Sequence, residues 1–462
     1  MAPYKKYLTV KIKNQEENMK FGKKSAFVLI VAGITALSMA GCGGGSSADE
    51  KYPEYEDNQY MWIGGWDPPI NTEADYKLAA EMGLTHMFID GVMAKRGTPA
   101  FTQQLVNCEK AGLKAIVGMD TSLTNTEGVE LDETDYSIYP AVDMINVWDE
   151  PYEVVFDDVA ERVERLNEIY AGKDVTLYIN GDMMHKISDT QMDDTLSYAT
   201  KLYNEVLSKI NGRKILSTDI YPLLQTNDGY AIGTQWLYDM SCYADVAKAN
   251  NAEFHMFIQN YSNANGGQRE ITSKAEFLFQ IYTDMCFGIN GFSWFTYRKS
   301  FLNFGGGCVE NDISCKPTRY WQMAKEANEE ISKFDHVYLS FDWEGVMGVN
   351  GTVNTKDDPE YFNPSFNFNT ELEELSCAKN VSSTQDTLIG QFKDKDGRAG
   401  LMVTNFTDPV DMQNSVVSFE FKNANRAVVY RGGERKIYEV KNNKVDLRLA
   451  PGEGIFVIPV KV

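Results

Sequence analysis

The chain has 462 residues, of which 43% are hydrophobic and 24% charged, a composition typical of a globular protein with one large domain and a smaller one. Its 66 acidic residues outnumber its 44 basic residues, and the formal charge of -22 disfavours nucleic acid and anionic lipid surfaces as partners. Neutral ligands fit this charge better.

The N-terminal segment has the order of residues expected of a secretory signal peptide. From Met19, a basic start leads to an apolar run at residues 25–39 and then to Ala40, Gly41 and Cys42. This run is too short for a stable transmembrane helix. We therefore expect residues 1–41 to be a signal peptide that starts at Met19.

Cys42 stands where the bacterial lipobox, which this segment resembles, has the cysteine that becomes lipidated. The resemblance implies a lipid anchor at Cys42, which would hold the protein on the membrane of the bacterial cell envelope, facing outside the cytoplasm. Residues 42–57 are rich in Gly, Ser and acidic residues, so they are predicted to form a flexible tether.

Eight short apolar runs follow, each bounded by turn residues, at intervals suited to alternating strands and helices. They are residues 59–66, 85–90, 114–120, 144–150, 175–180, 214–221, 253–261 and 291–297. Helical periodicity is present at residues 72–82, 99–111, 154–171, 193–210, 236–250 and 274–287. This pattern predicts an α/β fold, a (β/α)8 TIM barrel at residues 58–334, with its active site at the carboxyl ends of the strands.

Nearly every predicted strand ends on a polar or aromatic residue, which a purely structural barrel does not need. We expect about half of these residues to contact a ligand, since others will cap helices or satisfy loop backbone. The candidate ligand-binding residues are Trp66, Asp67, Asp90, Asp120, Trp148, Asn180, Tyr221, Gln259, Tyr261, Trp294 and Tyr297.

The end of the fourth strand carries the candidate catalytic residues. Residues 145–151 read Ile-Asn-Val-Trp-Asp-Glu-Pro, an apolar run that stops at two adjacent carboxylates, Asp149 and Glu150, and a proline. Because proline restricts the residue before it, Glu150 is expected to have an extended backbone. The alternative interpretation is that Asp149 only caps the next helix.

The pattern changes from about residue 335 to short alternating strands separated by turn residues. Predicted strands lie at residues 387–392, 399–405, 415–421, 427–430 and 454–459. This pattern favours a C-terminal antiparallel β-sandwich at residues 335–462 that packs against the barrel, with sugar binding as a lesser possibility.

The chain resembles the large (β/α)8 superfamily of glycoside hydrolases that includes β-galactosidases and endo-glycanases. In that superfamily the fourth strand ends in Asn-Glu-Pro, and residues 149–151 here read Asp-Glu-Pro. Residues 219–222, 288–297, 317–321 and 328–331 are further matches. The resemblance implies a carbohydrate substrate and Glu150 as general acid.

One position departs from that family. Its retaining members carry a nucleophilic Glu at the end of the seventh strand, where this chain has Gln259. An amide cannot form the covalent glycosyl ester, so three hypotheses remain open. In the first, Asp149 and Glu150 act like the similar Asp-Glu pair of substrate-assisted hexosaminidases, in which the substrate's own 2-acetamido oxygen attacks the anomeric carbon. Both carboxylates serve only if the strand breaks its pleat at this end.

In the second hypothesis Glu150 pairs with Asp219, with Asp90 and Asp120 as further candidates, and a wide separation makes the enzyme inverting. In the third, hydrolysis has been lost and the chain is a non-catalytic glycan-binding surface lipoprotein, for which Gln259 is the evidence.

No cofactor or metal is predicted, because the cysteines show no Cys-x-x-Cys and the histidines no zinc spacing. A disulfide between Cys308 and Cys315 and buried free thiols are both compatible with the sequence. His255, inside the seventh strand, is interpreted as a core histidine. The sequence does not indicate an oligomeric state.

Overall fold

The computed structural model describes residues 52–69, 72–90, 94–118, 132–182, 186–188, 191–227, 229–233, 235–263, 266–299, 304–353 and 366–462. The predicted signal peptide, Cys42, Asp120 and the first ten residues of the predicted tether lie outside these ranges.

Eight parallel strands close into a barrel, which confirms the predicted TIM fold. Each strand pairs with its neighbours in chain order, and the last pairs with the first. The strands are β1 (Trp62–Gly65), β2 (His86–Ile89), β3 (Lys114–Gly118), β4 (Val142–Asp149), β5 (Thr176–Gly181), β6 (Ile215–Asp219), β7 (Glu253–Gln259) and β8 (Gly291–Phe295).

Helices follow most strands, close to the predicted positions. They are α1 (Glu73–Glu81), α2 (Pro99–Ala111), α3 (Phe156–Ile169), α4 (Thr195–Lys201), α5 (Trp236–Ala249), α6 (Lys274–Met285), α7 (Arg319–Ile331) and α8 (Asp335–Tyr338). Thr72 and Ser273 begin α1 and α6 with capping boxes, while α2 starts at Pro99 and ends at Gly112, which has a left-handed backbone. The helix predicted at 193–210 continues past α4 as one π-helical turn, Leu202–Val206.

Side chains along the strands alternate between two layers. The inward residues include Trp62, Phe88, Met144, Tyr178 and Phe257, which fill the barrel with a mainly aromatic core. The outward residues join the helices in a second and larger apolar cluster. This alternation decides which residues at a strand end reach the barrel mouth, defined here as the space at the carboxyl ends of β1–β8.

The C-terminal part is a sandwich of two antiparallel sheets, as predicted. One sheet has six strands in the order β9, β11, β12, β17, β14, β15, and the other has three in the order β10, β13, β16. Their bounds are β9 (Phe341–Val349), β10 (Ala378–Ser383), β11 (Thr387–Asp394), β12 (Ala399–Asn405), β13 (Ser415–Phe421), β14 (Arg426–Arg431), β15 (Glu434–Glu439), β16 (Lys444–Leu449) and β17 (Gly454–Val460).

The outer face of the six-stranded sheet packs on the barrel through α6. A side chain at Gly454 would collide with the ring of Tyr282, and one at Gly390 with the carbonyl of Cys286, so glycine permits this close approach. A buried ion cluster adds to the contact. Arg269, 1% exposed, lies 3.1 Å from Glu276 at the start of α6 and donates to Asp408 of the sandwich at 2.6 Å.

Cys308 and Cys315 are buried free thiols, which resolves the disulfide alternative in favour of free cysteines. In the described ranges, none of the helices has both the length and the apolar character needed to cross a membrane.

Candidate functional site at the barrel mouth

A bulge near the end of β4 determines which of its residues face the mouth. The pairing of β4 with β5 shifts register between Asn146 and Trp148. Met144 faces the barrel interior, but Val147 and Trp148 both belong to the outer cluster, so the alternation is reset and Asp149 points inward.

Glu150 then breaks the pleat. Its φ is +50°, a left-handed backbone that is uncommon for residues other than glycine, so the expectation of an extended Glu150 is wrong. The Glu150 N–H donates to the carbonyl of Asn180 at 2.9 Å. The carbonyl of the next residue, Pro151, accepts from the Tyr198 hydroxyl at 2.6 Å. With these contacts holding the turn, the neighbouring carboxyls of Asp149 and Glu150 both reach the same group of residues.

Asn180 links the two aspartates at the mouth. Its Nδ2 donates to Asp219 Oδ1 at 2.9 Å and to Asp149 Oδ1 at 3.3 Å. Asp149 therefore contacts β5 and does not cap a helix. The Glu150 carboxyl hydrogen bonds to the carboxyl of Asp219, which also accepts a hydrogen bond from Tyr221. The ends of β4 and β6 supply three carboxyls, and Asn180 of β5 joins them in one contact network.

Burial and mutual repulsion raise the pKa of all three carboxyls. The pKa of Asp149 is raised to about 7 by burial and by the charge of Asp219. Burial raises the pKa of Asp219 to about 6, against the opposing hydrogen bonds from Asn180 and Tyr221. Burial, Asp219 and Asp149 raise the pKa of Glu150 well above its usual range. Both neighbouring carboxylates act in the direction that favours the protonated form of Glu150, which is the form that a general acid requires.

One wall of the mouth is aromatic. The rings of Tyr221 and Tyr261 meet edge to face at 4.9 Å, and both lie 5.3 Å from the ring of Phe295. Phe304 packs on Tyr261 at 5.2 Å, and Trp66 lies 6.4 Å from Phe295. An aromatic surface facing hydrogen-bonding carboxyls is suited to a ligand with apolar ring faces and polar edges.

A second acidic pair stands at the ends of β1 and β2. Burial and the charge of Asp90 raise the pKa of Asp67 to about 7, against the opposing effect of Arg298. Arg298 is fully buried and donates to the carbonyl of Pro68 at 2.9 Å. Asp90 also acts electrostatically on Asp149, so both predicted residues belong to the same mouth.

Four predicted ligand-binding residues are not at the mouth. Trp148 is buried under the guanidinium of Arg162, and Trp294 donates its ring N–H to Asn328 of α7 at 3.1 Å. Tyr297 is also buried in the outer cluster. Gln259 is fully buried with its amide bound to loop backbone, accepting from Leu223 N–H at 2.9 Å and donating to the Leu223 carbonyl at 3.0 Å.

Sequence reasoning missed Asp182 and Phe295. Asp182 is 2% exposed and acts on the pKa values of Asp149, Glu150 and Asp219. Strand alternation from Tyr178 through Asn180 places Asp182 on the inward face, so this signal was present in the sequence. The same alternation, counted from the inward residue Ser293 on β8, places Phe295 on the inward face and Trp294 on the outward face.

No known protein-family model matches this sequence, and no curated protein sequence matches it either. Solved structures with a similar fold include a GH27 β-L-arabinopyranosidase from Geobacillus stearothermophilus, 11% identical, with a TM-score of 0.49 over 88% of this chain and 97% of that one. A putative α-galactosidase from Bacteroides fragilis is 10% identical, with a TM-score of 0.48 over 87% of this chain and 80% of that one.

A β-galactosidase from a psychrophilic Marinomonas is 12% identical, with a TM-score of 0.39, and the match covers 62% of each chain. At these identities and scores the likenesses do not establish an activity. The function is therefore inferred from the residues at the mouth.

Proposed function

We propose that the protein is a glycoside hydrolase in which Glu150 is the general acid and Asp149 assists a 2-acetamido group of the substrate. The observation that carries the proposal is the reset of β4, which turns two consecutive carboxyls, Asp149 and Glu150, toward Asp219 and Asn180. This is the broken pleat that the substrate-assisted hypothesis requires.

The contact between Glu150 and Asp219 supports this mechanism over a two-carboxylate mechanism. Two catalytic carboxyls are separated by about 5–5.5 Å in retaining glycosidases and by about 6.5–9.5 Å in inverting ones. Glu150 and Asp219 interact directly through a hydrogen bond between their carboxyls, which differs from the separated pairs of both classes. A substrate that supplies its own nucleophile needs no protein carboxylate on the opposite face of the ring.

In the proposed reaction, the 2-acetamido oxygen attacks the anomeric carbon while the bond to the leaving oxygen breaks. Glu150 gives its proton to that oxygen, and ionised Asp149 stabilises the positive charge on the acetamido nitrogen. Glu150 then removes a proton from water, which attacks the anomeric carbon and releases the acetamido oxygen. Both residues return to their starting protonation states.

The aromatic wall supports a carbohydrate ligand. Tyr221, Tyr261 and Phe295 offer ring faces to the apolar side of a sugar, while the acids accept hydrogen bonds from its hydroxyls. The formal charge of -22 favours a neutral sugar. Lipid anchoring at Cys42 on the bacterial envelope remains part of the proposal, resting on the N-terminal residues alone.

The test compares aryl glycosides with and without a 2-acetamido group, using the full-length protein, Glu150→Gln and Asp149→Asn. We expect turnover only of 2-acetamido sugars, inhibition by a thiazoline analogue, and loss of at least about 100-fold in kcat for either variant. Turnover of plain hexosides would favour pairing of Glu150 with Asp219. Glycan binding without any turnover would favour the non-catalytic alternative.

A further inference from the structure

A buried chain of hydrogen bonds runs beneath the mouth from β8 to Asn180. Ser293 Oγ lies 2.9 Å from His255 Nε2, and His255 Nδ1 lies 2.9 Å from Ser217 Oγ. Ser217 Oγ donates to Asn180 Oδ1 at 2.8 Å and lies 2.6 Å from the Tyr178 hydroxyl. These residues are at most 3% exposed, so they are shielded from bulk water.

The number of available protons allows only one donor–acceptor direction along this chain of hydrogen bonds. Asn180 turns its Nδ2 to two carboxyls, so its Oδ1 faces Ser217 and must accept. The single proton of Ser217 is then committed to Asn180. Tyr178 must therefore donate to Ser217.

The same count fixes the tautomer of His255. His255 Nδ1 lies 2.9 Å from Ser217 Oγ and 3.3 Å from the Tyr178 hydroxyl. Because the Ser217 proton is committed to Asn180 and the Tyr178 proton to the shorter contact with Ser217, Nδ1 must carry a hydrogen and donate to Ser217. Burial lowers the pKa of His255 well below its usual range, so the ring is neutral and Nε2 accepts from Ser293. The ring of Trp62 stacks on His255 at 4.0 Å and holds its plane.

We propose that Ser217, supported by His255, is a positioning residue that locks the Asn180 amide with both N–H groups toward Asp149 and Asp219. The locked amide stabilises the two aspartates as anions, so that the remaining proton of the network stays on Glu150. If the amide turned over, its oxygen would face two carboxylates, and the aspartates would take up the proton instead. The catalytic value of keeping the proton on Glu150 rests on the proposed function, whereas the orientation of the Asn180 amide does not.

Other groups facing the two aspartates act alongside the amide. These groups are three carboxyls, from the ends of three strands, and two phenols. None of them supplies a positive charge that could stabilise an ionised aspartate. They are Asp90 after β2, Glu150 after β4, Asp182 after β5, Tyr178 on β5 and Tyr221 after β6. Asn180 is thus the group whose orientation opposes this repulsion for both aspartates at once.

The first test is Ser217→Ala in the full-length protein, with aspartate titration followed by the carboxyl 13C NMR signals without substrate. We expect the titration midpoints of Asp149 and Asp219 to rise by about one pH unit or more. Tyr178→Phe is the matched control, since it removes an equally buried and neutral hydroxyl that bonds to Ser217 and not to an aspartate, and it leaves the Ser217 proton on Asn180. Its midpoints should stay within about 0.3 pH unit. Unchanged midpoints in Ser217→Ala would overturn the proposal.

The second test uses the unmodified protein, so it stands even if Ser217→Ala does not fold. The chain has four histidines, and 15N NMR distinguishes their tautomers. We expect His255 to carry its hydrogen on Nδ1 across neutral pH. A hydrogen on Nε2 would mean that Nδ1 accepts from Ser217 or from Tyr178, which would refute the support that His255 gives to Ser217. Neither measurement involves substrate, so failure of the glycosidase proposal would leave both outcomes unchanged.

Discussion

Replacing Asp149 by Asn is expected to stabilise the folded protein at alkaline pH while removing activity. The folded state raises the pKa of Asp149 from 3.8 to about 7, so the folded protein holds a proton that the unfolded chain releases. This contribution to stability is complete below about pH 4 and is lost as the pH rises to about 7. Above pH 7 the folded state carries a buried, repelled charge that asparagine would not have.

The size of the gain follows from that rise in pKa. A rise from 3.8 to about 7 corresponds to ~4 kcal/mol. Partial exposure of the side chain and the titration that it shares with Asp219 reduce the expected gain to ~2 kcal/mol at pH 8. Asparagine keeps an oxygen that accepts from Asn180, so the Asn180 N–H is not left unpaired.

The assay is urea denaturation of the wild-type protein and Asp149→Asn at pH 4 and pH 8, comparing the free energies of unfolding. Asp135→Asn is the control of opposite sign, because hydrogen bonds from Lys173 and Ser137 lower the pKa of Asp135. Its contribution to stability is present at neutral pH and disappears as the pH falls below the usual range of an aspartate. An Asp149→Asn variant that is no more stable than wild type at pH 8, or that gains as much stability at pH 4, would contradict the raised pKa of Asp149.

Two further substitutions test the framework of the site. Gln259→Glu should lower the free energy of unfolding by ~2–4 kcal/mol, because it removes a buried N–H that donates to Leu223, and it should create no nucleophile. Gln225→Glu, at an exposed position, is the control. Unchanged stability of Gln259→Glu would contradict the structural role assigned to Gln259. Arg269→Met should cost ~3–5 kcal/mol in denaturant titrations, since it leaves two carboxylates buried without their cation, whereas Arg319→Met, in an exposed pair, should cost less than ~1 kcal/mol. Equal losses for the two arginines would argue against the buried cluster.

The predicted elements agree with the fold because their periodicity is a local property of the chain. The second barrel helix begins at Pro99 and ends at Ala111, as predicted, because Thr98, Pro99 and Gly112 determine its ends locally. The strand ends were less predictable. Short strands such as Tyr261–Ser262, paired with Gly305–Gly306, depend on segments that are distant in sequence.

The candidate site was predicted in part. Asp149, Glu150, Asn180, Asp219 and Tyr221 meet at the mouth, since carboxyl ends of parallel strands converge whatever their loops contain. Trp294 and Tyr297 were wrongly placed because position at a strand end was considered without the inward or outward direction of each side chain.

The sequence by itself determined the barrel, the sandwich and the concentration of carboxyls at one end of the barrel, because apolar periodicity and strand order are encoded locally. Only the tertiary structure decided how the carboxyls of residues 149 and 150 are directed. A bulge after Asn146 and a left-handed backbone at Glu150 turn both of them inward. Both features depend on pairing with β5, and no local pattern in residues 145–151 specifies that pairing.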